Sequence, residues 1–275
     1  MLNFGLIGCG RFGKHYISNL EHIGNARISR VCTRTLLDSI AFGITHHLDY
    51  RDVCDANDID CVIVATPPAL HYDICKAALI AGKHVICEKP FVFDLSQAKE
   101  LEALAEQQRL SLLVNYIHLF NPAFVRLTEE YDPLDSSLKY IESEGYGWGP
   151  FRTDCTVAWD WMSHDIAMLF SIFGRQFAAT AVSYQDPADP FRTMVDLGLS
   201  HASIRAMVRC GNTAFSKKRR FSIRSEKQSL EFSDDAKENP LLIMLERFVA
   251  KTLLGEICSN SALACDVTGF LQRTL

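Results

Sequence analysis

The chain has 275 residues, 48% of them hydrophobic, and a formal net charge of −5. That is apolar surface enough for one large or two ordinary domains, and the acidic balance excludes bulk attraction to nucleic acid or to an anionic membrane. No apolar run nears the roughly 20 residues of a membrane helix, and the opening "MLNFGLIG" has no basic leader, so no signal peptide is expected and the cytoplasm is the expected location.

Phe4 to Ile7 reads as a short apolar strand that ends at the glycines Gly8, Gly10 and Gly13. Phe12, Tyr16, Leu20 and Ile23 then recur at helical spacing, and "ARISRVCT" (26–33) alternates as a strand does. The G-x-G-x-x-G cluster thus lies between a strand and a helix, the context in which that spacing cradles a dinucleotide. "DCVIVAT" (60–66) is a buried strand, 70–82 a helix stopped by Gly82, and "KHVICEKP" (83–90) a strand broken by Pro90. A charged helix over 96–108, opened by Ser96, and a strand over 110–115 follow. Alternating strands and helices predict a doubly wound parallel sheet over residues 1–120.

From residue 121 the rhythm changes. One helix starts near Asn121-Pro122 and another covers about 161–173. Strand-like runs at 138–144, 179–184, 194–199, 202–209, 219–225 and 228–232 are joined by short polar turns, which predicts a mainly antiparallel, open sheet in an α+β domain over 121–275. The ten cysteines include no C-x-x-C pair, and several lie in apolar runs. They read as reduced, buried thiols, and no metal site is expected.

Ligands of an open parallel sheet bind beyond the carboxyl ends of its strands, so the residues there are the candidates. After the first strand come Gly8, Gly10, Arg11, Phe12 and Gly13, a pyrophosphate cradle. The second strand runs into Thr33 and Arg34, with no carboxylate before Asp38. A carboxylate there selects NAD by its ribose hydroxyl, whereas Arg34 can pair with a 2′-phosphate. NADP is therefore the expected cofactor, with NAD as the other possibility. Ala65, Thr66, Pro67 and His71 follow the third predicted strand and are expected to wall the nicotinamide side. Glu88 and Lys89 follow "HVIC", placing an ammonium group at the mouth of the crevice, where it can exchange a proton. In "VAWDWMSHDIAMLFSIFG" (157–174), Asp160 and His164 are four apart and share a face if the helix has begun. Lys89, Asp160 and His164 are the catalytic candidates. Arg152 and Trp161 are the substrate candidates, since flat aromatic faces (Tyr146, Trp148 and Trp159 also lie near) suit sugar rings and Arg152 suits a carboxylate or phosphate.

Four segments carry a resemblance to a known family: "GLIGCGRFGKHY", "VIVATPPALHYDICKAALIAGKHVICEKPF", "WDWMSHDIAMLFSIFG" and "FSIRSEKQSLEF". With them the chain resembles the glucose–fructose oxidoreductase / inositol dehydrogenase / rhizopine-catabolism (Gfo/Idh/MocA) family of NAD(P)-dependent oxidoreductases. The resemblance implies a catalytic lysine at Lys89, an Asp-x-x-x-His pair at Asp160 and His164, and a dinucleotide loop at Gly8, Gly10 and Gly13. It also implies a Rossmann domain followed by an α/β domain with a large open sheet, and a homodimer or homotetramer formed through that sheet. The expected substrate is a small molecule, a sugar or sugar nucleotide, oxidised or reduced at a hydroxyl/carbonyl carbon. A cofactor-sensing regulator and an NAD-dependent glycosidase are the alternatives within the family. The sequence departs from the pattern at Leu119, where many sugar-oxidising members have arginine, and in "RSEKQS", which lacks the usual hairpin glycines.

Overall fold

A computed structural model describes residues 1–34, 43–234 and 238–275. The chain divides into two compact units, Met1–Asn115 with Leu241–Thr268, and Tyr116–Pro240 with Gly269–Leu275.

The first unit is a six-stranded, all-parallel sheet. Its strands are β1 (Leu2–Ile7), β2 (Ala26–Cys32), β3 (Thr45–His47), β4 (Cys61–Val64), β5 (His84–Cys87) and β6 (Leu112–Val114), in the order β3-β2-β1-β4-β5-β6. The reversal of order beside β1 makes a topological switch point, so the strand ends there open onto a ligand crevice. Helices α1 (Arg11–Leu20), α2 (Arg51–Cys54), α3 (His71–Ile80) and α4 (Leu95–Gln108) connect the strands. β4 is buried along its whole length, as its Cys-Val-Ile-Val sequence requires of a strand covered on both faces. α3 stops at Gly82, which takes φ +76. α4 is capped by Asp94, whose carboxylate accepts from the amides of Ser96 and Gln97, rather than by Ser96 itself. Such a cap contributes about 1 kcal/mol.

The first unit is closed by residues far away in sequence, so it is discontinuous where the residue pattern suggests one division at 120. Two helices near the end of the chain, α7 (Pro240–Leu253) and α8 (Ser261–Thr274), contribute to it. Phe248 of α7 sits 6.3 Å from Phe4, ring centroid to ring centroid. Asn260 holds both backbone groups of Val114 (2.7 and 2.9 Å), and Ser259 Oγ donates to the carbonyl of Leu112 at 2.7 Å. These contacts cover the outer edge of β6, which would otherwise present unpaired backbone.

The second unit holds α5 (Pro122–Glu130), α6 (Ser163–Phe173) and strands β7 (Lys139–Trp148), β8 (Ala178–Tyr184), β9 (Met194–His201), β10 (Ile204–Gly211), β11 (Thr213–Arg224) and β12 (Ser229–Ser233). Their order is β12-β11-β7-β10-β9-β8, and every neighbouring pair is antiparallel except β7 with β10. β7 alternates buried and half-buried or exposed residues, the signature of a sheet with one packed face. Beneath it Asp165 of α6 is fully buried, paired with Arg219 and accepting from Ser143 Oγ at 2.6 Å. Burial pushes the Asp165 carboxyl up, and the Arg219 charge and the Ser143 bond pull it back.

All ten cysteines are buried and unbridged. Burial raises the thiols of Cys32, to about 11, and Cys54, to about 12, so these two stay protonated at neutral pH. Among the described residues no helix is long and apolar enough to cross a membrane.

Candidate functional site

The three glycines of the first turn meet different surroundings. At Gly8, φ is +93 and an added Cβ would lie 2.5 Å from the carbonyl oxygen of Ala65, so the turn tolerates no side chain. At Gly13 an added Cβ would lie 2.3 Å from the carbonyl oxygen of Gly8, so the helix packs directly on the strand end. At Gly10 it would meet nothing within 4 Å. One glycine makes the turn, one seats α1, and the middle one leaves open space above the start of the helix. No side chain caps α1 at Gly10, so the amides of its first turn are left to a ligand. That combination fits a dinucleotide pyrophosphate at a helix N-terminus. Arg11 and Phe12 are exposed at the rim, Phe12 packing edge-on to His15 (5.8 Å).

At the end of β2, Thr33 is half-buried and Arg34 exposed; Asp38 lies outside the described residues. At the end of β4, Ala65 and Thr66 are half-buried and Pro67 exposed. The hydroxyl of Thr66 is buried and without a partner among the described residues, a polar atom that a ligand can satisfy.

His71 and Glu88 are both buried and hydrogen-bonded within the first unit. His71 has no exposed surface. Its Nδ1 lies 3.0 Å from the carbonyl oxygens of Pro90 and Phe91, and its Nε2 lies 2.9 Å from that of Thr66. The ring ties the loop after β4 to the turn after β5. Glu88 is buried in a polar triad that the residue pattern did not reveal. Its Oε1 accepts from Tyr16 Oη (2.7 Å) and from Asn115 Nδ2 (2.7 Å), and Asn115 also donates to Tyr16 Oη at 2.9 Å. Burial raises the Glu88 carboxyl, against the Tyr16 and Asn115 hydrogen bonds that lower it. Tyr16 reads in the sequence as one more apolar position of α1, and nothing there marks its hydroxyl. Lys89 follows directly and is half-buried.

In the second unit Asp160 falls in a wide π turn, Ala158–Met162, that leads into α6, and His164 lies in the first turn of α6; both are buried. Arg152 is tied to carboxylates: Nε and Nη2 meet Asp154 at 2.9 and 2.7 Å, and Nη1 meets Asp160 at 3.1 Å. Two aromatic neighbours of His164 come from the segment after β6, His118 at 4.8 Å and Tyr116 at 6.5 Å between ring centroids. Neither was singled out from the sequence. The indole N–H of Trp161 is buried and without a partner among the described residues. Trp148 belongs to a different cluster, stacked on Phe215 at 5.1 Å and met edge-on by Phe151.

Residues 2–116 match the family described as "Oxidoreductase family, NAD-binding Rossmann fold", GFO_IDH_MocA. Over these residues the chain is similar to that family. The Uncharacterized oxidoreductase YrbE of Bacillus subtilis is 30% identical over 128 residues, which cover 45% of this chain and 38% of that protein. The inositol 2-dehydrogenase of Rhizobium meliloti is 27% identical over 134 residues, 48% of this chain and 41% of its own. The matches thus span well under half of these relatives' length. Solved structures match over more of the chain. A Magnetospirillum magnetotacticum MS-1 protein described as an oxidoreductase is 26% identical with a TM-score of 0.84, covering 98% of both chains. The scyllo-inositol dehydrogenase of Lactobacillus casei, solved with NAD(H) and scyllo-inositol, has a TM-score of 0.86 at 18% identity, over 98% of this chain and 95% of its own. At that identity the likeness is one of fold. Each unit therefore has the fold of these solved structures, a Rossmann-type parallel sheet in the first and a mixed, mostly antiparallel sheet in the second.

Proposed function

We propose that this chain is a Gfo/Idh/MocA-family, NADP-preferring dehydrogenase or reductase acting at a hydroxyl/carbonyl carbon of a sugar or sugar-nucleotide-like substrate. The observation that carries the reading is the glycine loop, tight at Gly8 and Gly13 and open at Gly10. The dinucleotide supplies hydride acceptance or donation at its nicotinamide ring when bound. The cofactor residues are Gly8, Gly10, Arg11, Phe12 and Gly13 at the pyrophosphate, Thr33 and Arg34 at the ribose, and Ala65, Thr66 and Pro67 along the loop after β4. His71 and Glu88 support this set from behind. Arg34 supplies the charge that favours a 2′-phosphate.

Lys89, Asp160 and His164 carry the proton chemistry. Either Lys89 of the first unit or His164 of the second exchanges the substrate hydroxyl proton, and Asp160, four residues before His164, tunes that histidine. Trp161 offers an indole donor and a flat face to a sugar, and Arg152 offers a cation beside Asp160 for an acidic substituent. The assembly proposed is a homodimer or homotetramer.

A second reading has an observation of its own. A Glycosyl hydrolase family 109 protein 2 from Shewanella sp. (strain ANA-3) is 33% identical over 116 residues, 37% of this chain and 25% of its own. One experiment separates the two. The protein is incubated with NADP or NAD and a panel of UDP-sugars, sugar acids and polyols, and absorbance of the reduced nicotinamide is followed. Net, stoichiometric reduction supports the dehydrogenase. Sugar cleavage with no net change in the nicotinamide supports the glycosidase.

A further inference from the structure

The turn that carries Arg34 is held in an unusual way. β2 ends at Cys32, and the Cys32 carbonyl is taken by the amide of Gly8 at 2.9 Å. Thr33 is then gripped on both sides by β3. Its amide donates to the carbonyl of His47 at 3.2 Å, and its carbonyl oxygen lies 2.8 Å from Nε2 of His46. A carbonyl only accepts, so His46 donates from Nε2. Of these three bonds, two are backbone to backbone and form whatever the side chains are. The third depends on the identity of one residue.

The neighbouring histidine is engaged elsewhere, as strand alternation dictates. His47 Nε2 meets Arg30 Nη1 at 3.0 Å and its Nδ1 lies 3.6 Å from Asp52, while Arg30 pairs with Asp58 at 2.9 Å. The surroundings are acidic. Asp49 and Asp52 act on the Cys32 thiol from nearby, adding to the rise that burial causes. An extra phosphate at this strand end is therefore tolerated only if a cation is aimed at it, and the aim of Arg34 depends on the Thr33 peptide that precedes it.

We propose that His46 is the positioning residue for Arg34 and thereby sets the preference for a 2′-phosphorylated dinucleotide. The proposal rests on the reading of Arg34 as the 2′-phosphate ligand. With the His46 bond in place, the Thr33 carbonyl cannot rotate and Arg34 leaves the strand in one direction. Without it the peptide samples other orientations, and the loss falls on the ligand that uses the guanidinium. NADH has no 2′-phosphate and is indifferent.

The test is calorimetric titration of NADPH and NADH into wild type, His46→Leu, His46→Gln and Arg34→Asp. Leu fills the volume and cannot donate, whereas Gln keeps an amide N–H at a similar reach. His46→Leu is expected to weaken NADPH about tenfold, the scale of one lost hydrogen bond, and to leave NADH unchanged. His46→Gln is expected to restore most of the NADPH affinity. Equal weakening of both nucleotides in His46→Leu, or of neither, overturns the proposal, as does a Gln variant no better than Leu. If Arg34→Asp abolishes the NADPH preference and His46→Leu keeps it, the His46 inference fails alone. If wild type shows no NADPH preference, the reading of Arg34 fails and takes the inference with it.

Discussion

Removing one hydroxyl, Tyr16→Phe, tests the buried triad beneath the candidate lysine. Tyr16 has no exposed surface, and Phe occupies the same ring volume, so no cavity forms. What disappears is the 2.7 Å bond to Glu88 Oε1 and the acceptor that Asn115 Nδ2 meets at 2.9 Å. Asn115 keeps its own bond to Glu88. A hydrogen bond to a charged group contributes about 1.5–3 kcal/mol, so the expected loss at pH 7 is about 2 kcal/mol. The loss depends on pH, with a definite sign. Burial raises the folded pKa of Glu88, so its contribution favours the fold below the unfolded value and is lost as pH rises through the folded value. The Tyr16 bond lowers that pKa and moderates the loss; without it the loss grows. As pH falls toward the ordinary glutamate value of about 4.3, protonation of the raised carboxyl is favoured and the difference shrinks toward that of a neutral bond, about 1 kcal/mol. Native-state hydrogen exchange at the amides of β1 and β5, corrected for intrinsic rates at each pH, reads this directly in the first unit. A loss equal at pH 7 and pH 4.5, or one below about 0.5 kcal/mol at both, refutes the argument.

Three further outcomes follow from the same geometry. Lys89→Ala should lose about 10²–10⁴ in turnover while nucleotide titration stays as in wild type, because the glycine loop is untouched; near-normal kcat removes Lys89 from the chemistry. Asp165→Asn leaves the buried Arg219 charge without its partner and should destabilise the second unit by about 3–5 kcal/mol. Urea unfolding followed by tryptophan fluorescence reports on that unit alone, since Trp148, Trp159 and Trp161 all lie in it. Arg152→Ala should weaken binding of a UDP-sugar or a sugar acid to the NADP-loaded protein more than binding of a neutral polyol, and an unchanged ratio of affinities argues against an acidic substrate.

The sheet of the first unit was legible because its strands are short, fully buried and punctuated by Gly8, Gly82 and Pro90, signals that act locally. The wide turn at Asp160 was not. A π turn depends on what the helix packs against, and the residues of "AWDWM" suit an ordinary helix equally well. β3 was missed because three residues, Thr45–His47, are too few to show alternation, although two of them hold the Arg34 turn. Arg152 reads in the sequence as a cation available to a ligand; its bonds to Asp154 and Asp160 depend on the loop fold. His71 reads in the sequence as part of the wall on the nicotinamide side, and only the turn after β5, nineteen residues on, makes it a buried tie.

The covering of β6 by Ser259 and Asn260 has a consequence for the order of synthesis. On the ribosome, β1 to β6 emerge first, then Tyr116–Pro240 of the second unit, and only afterwards the segment that covers the last strand of the first sheet. Throughout that interval the outer edge of Leu112–Val114 offers its backbone to any strand that meets it. A nascent chain paused between residues 120 and 258 thus carries a nearly finished nucleotide-binding sheet with one open flank. Chaperone capture or mispairing with a neighbouring chain belongs to that window, and it ends when the last helix is made.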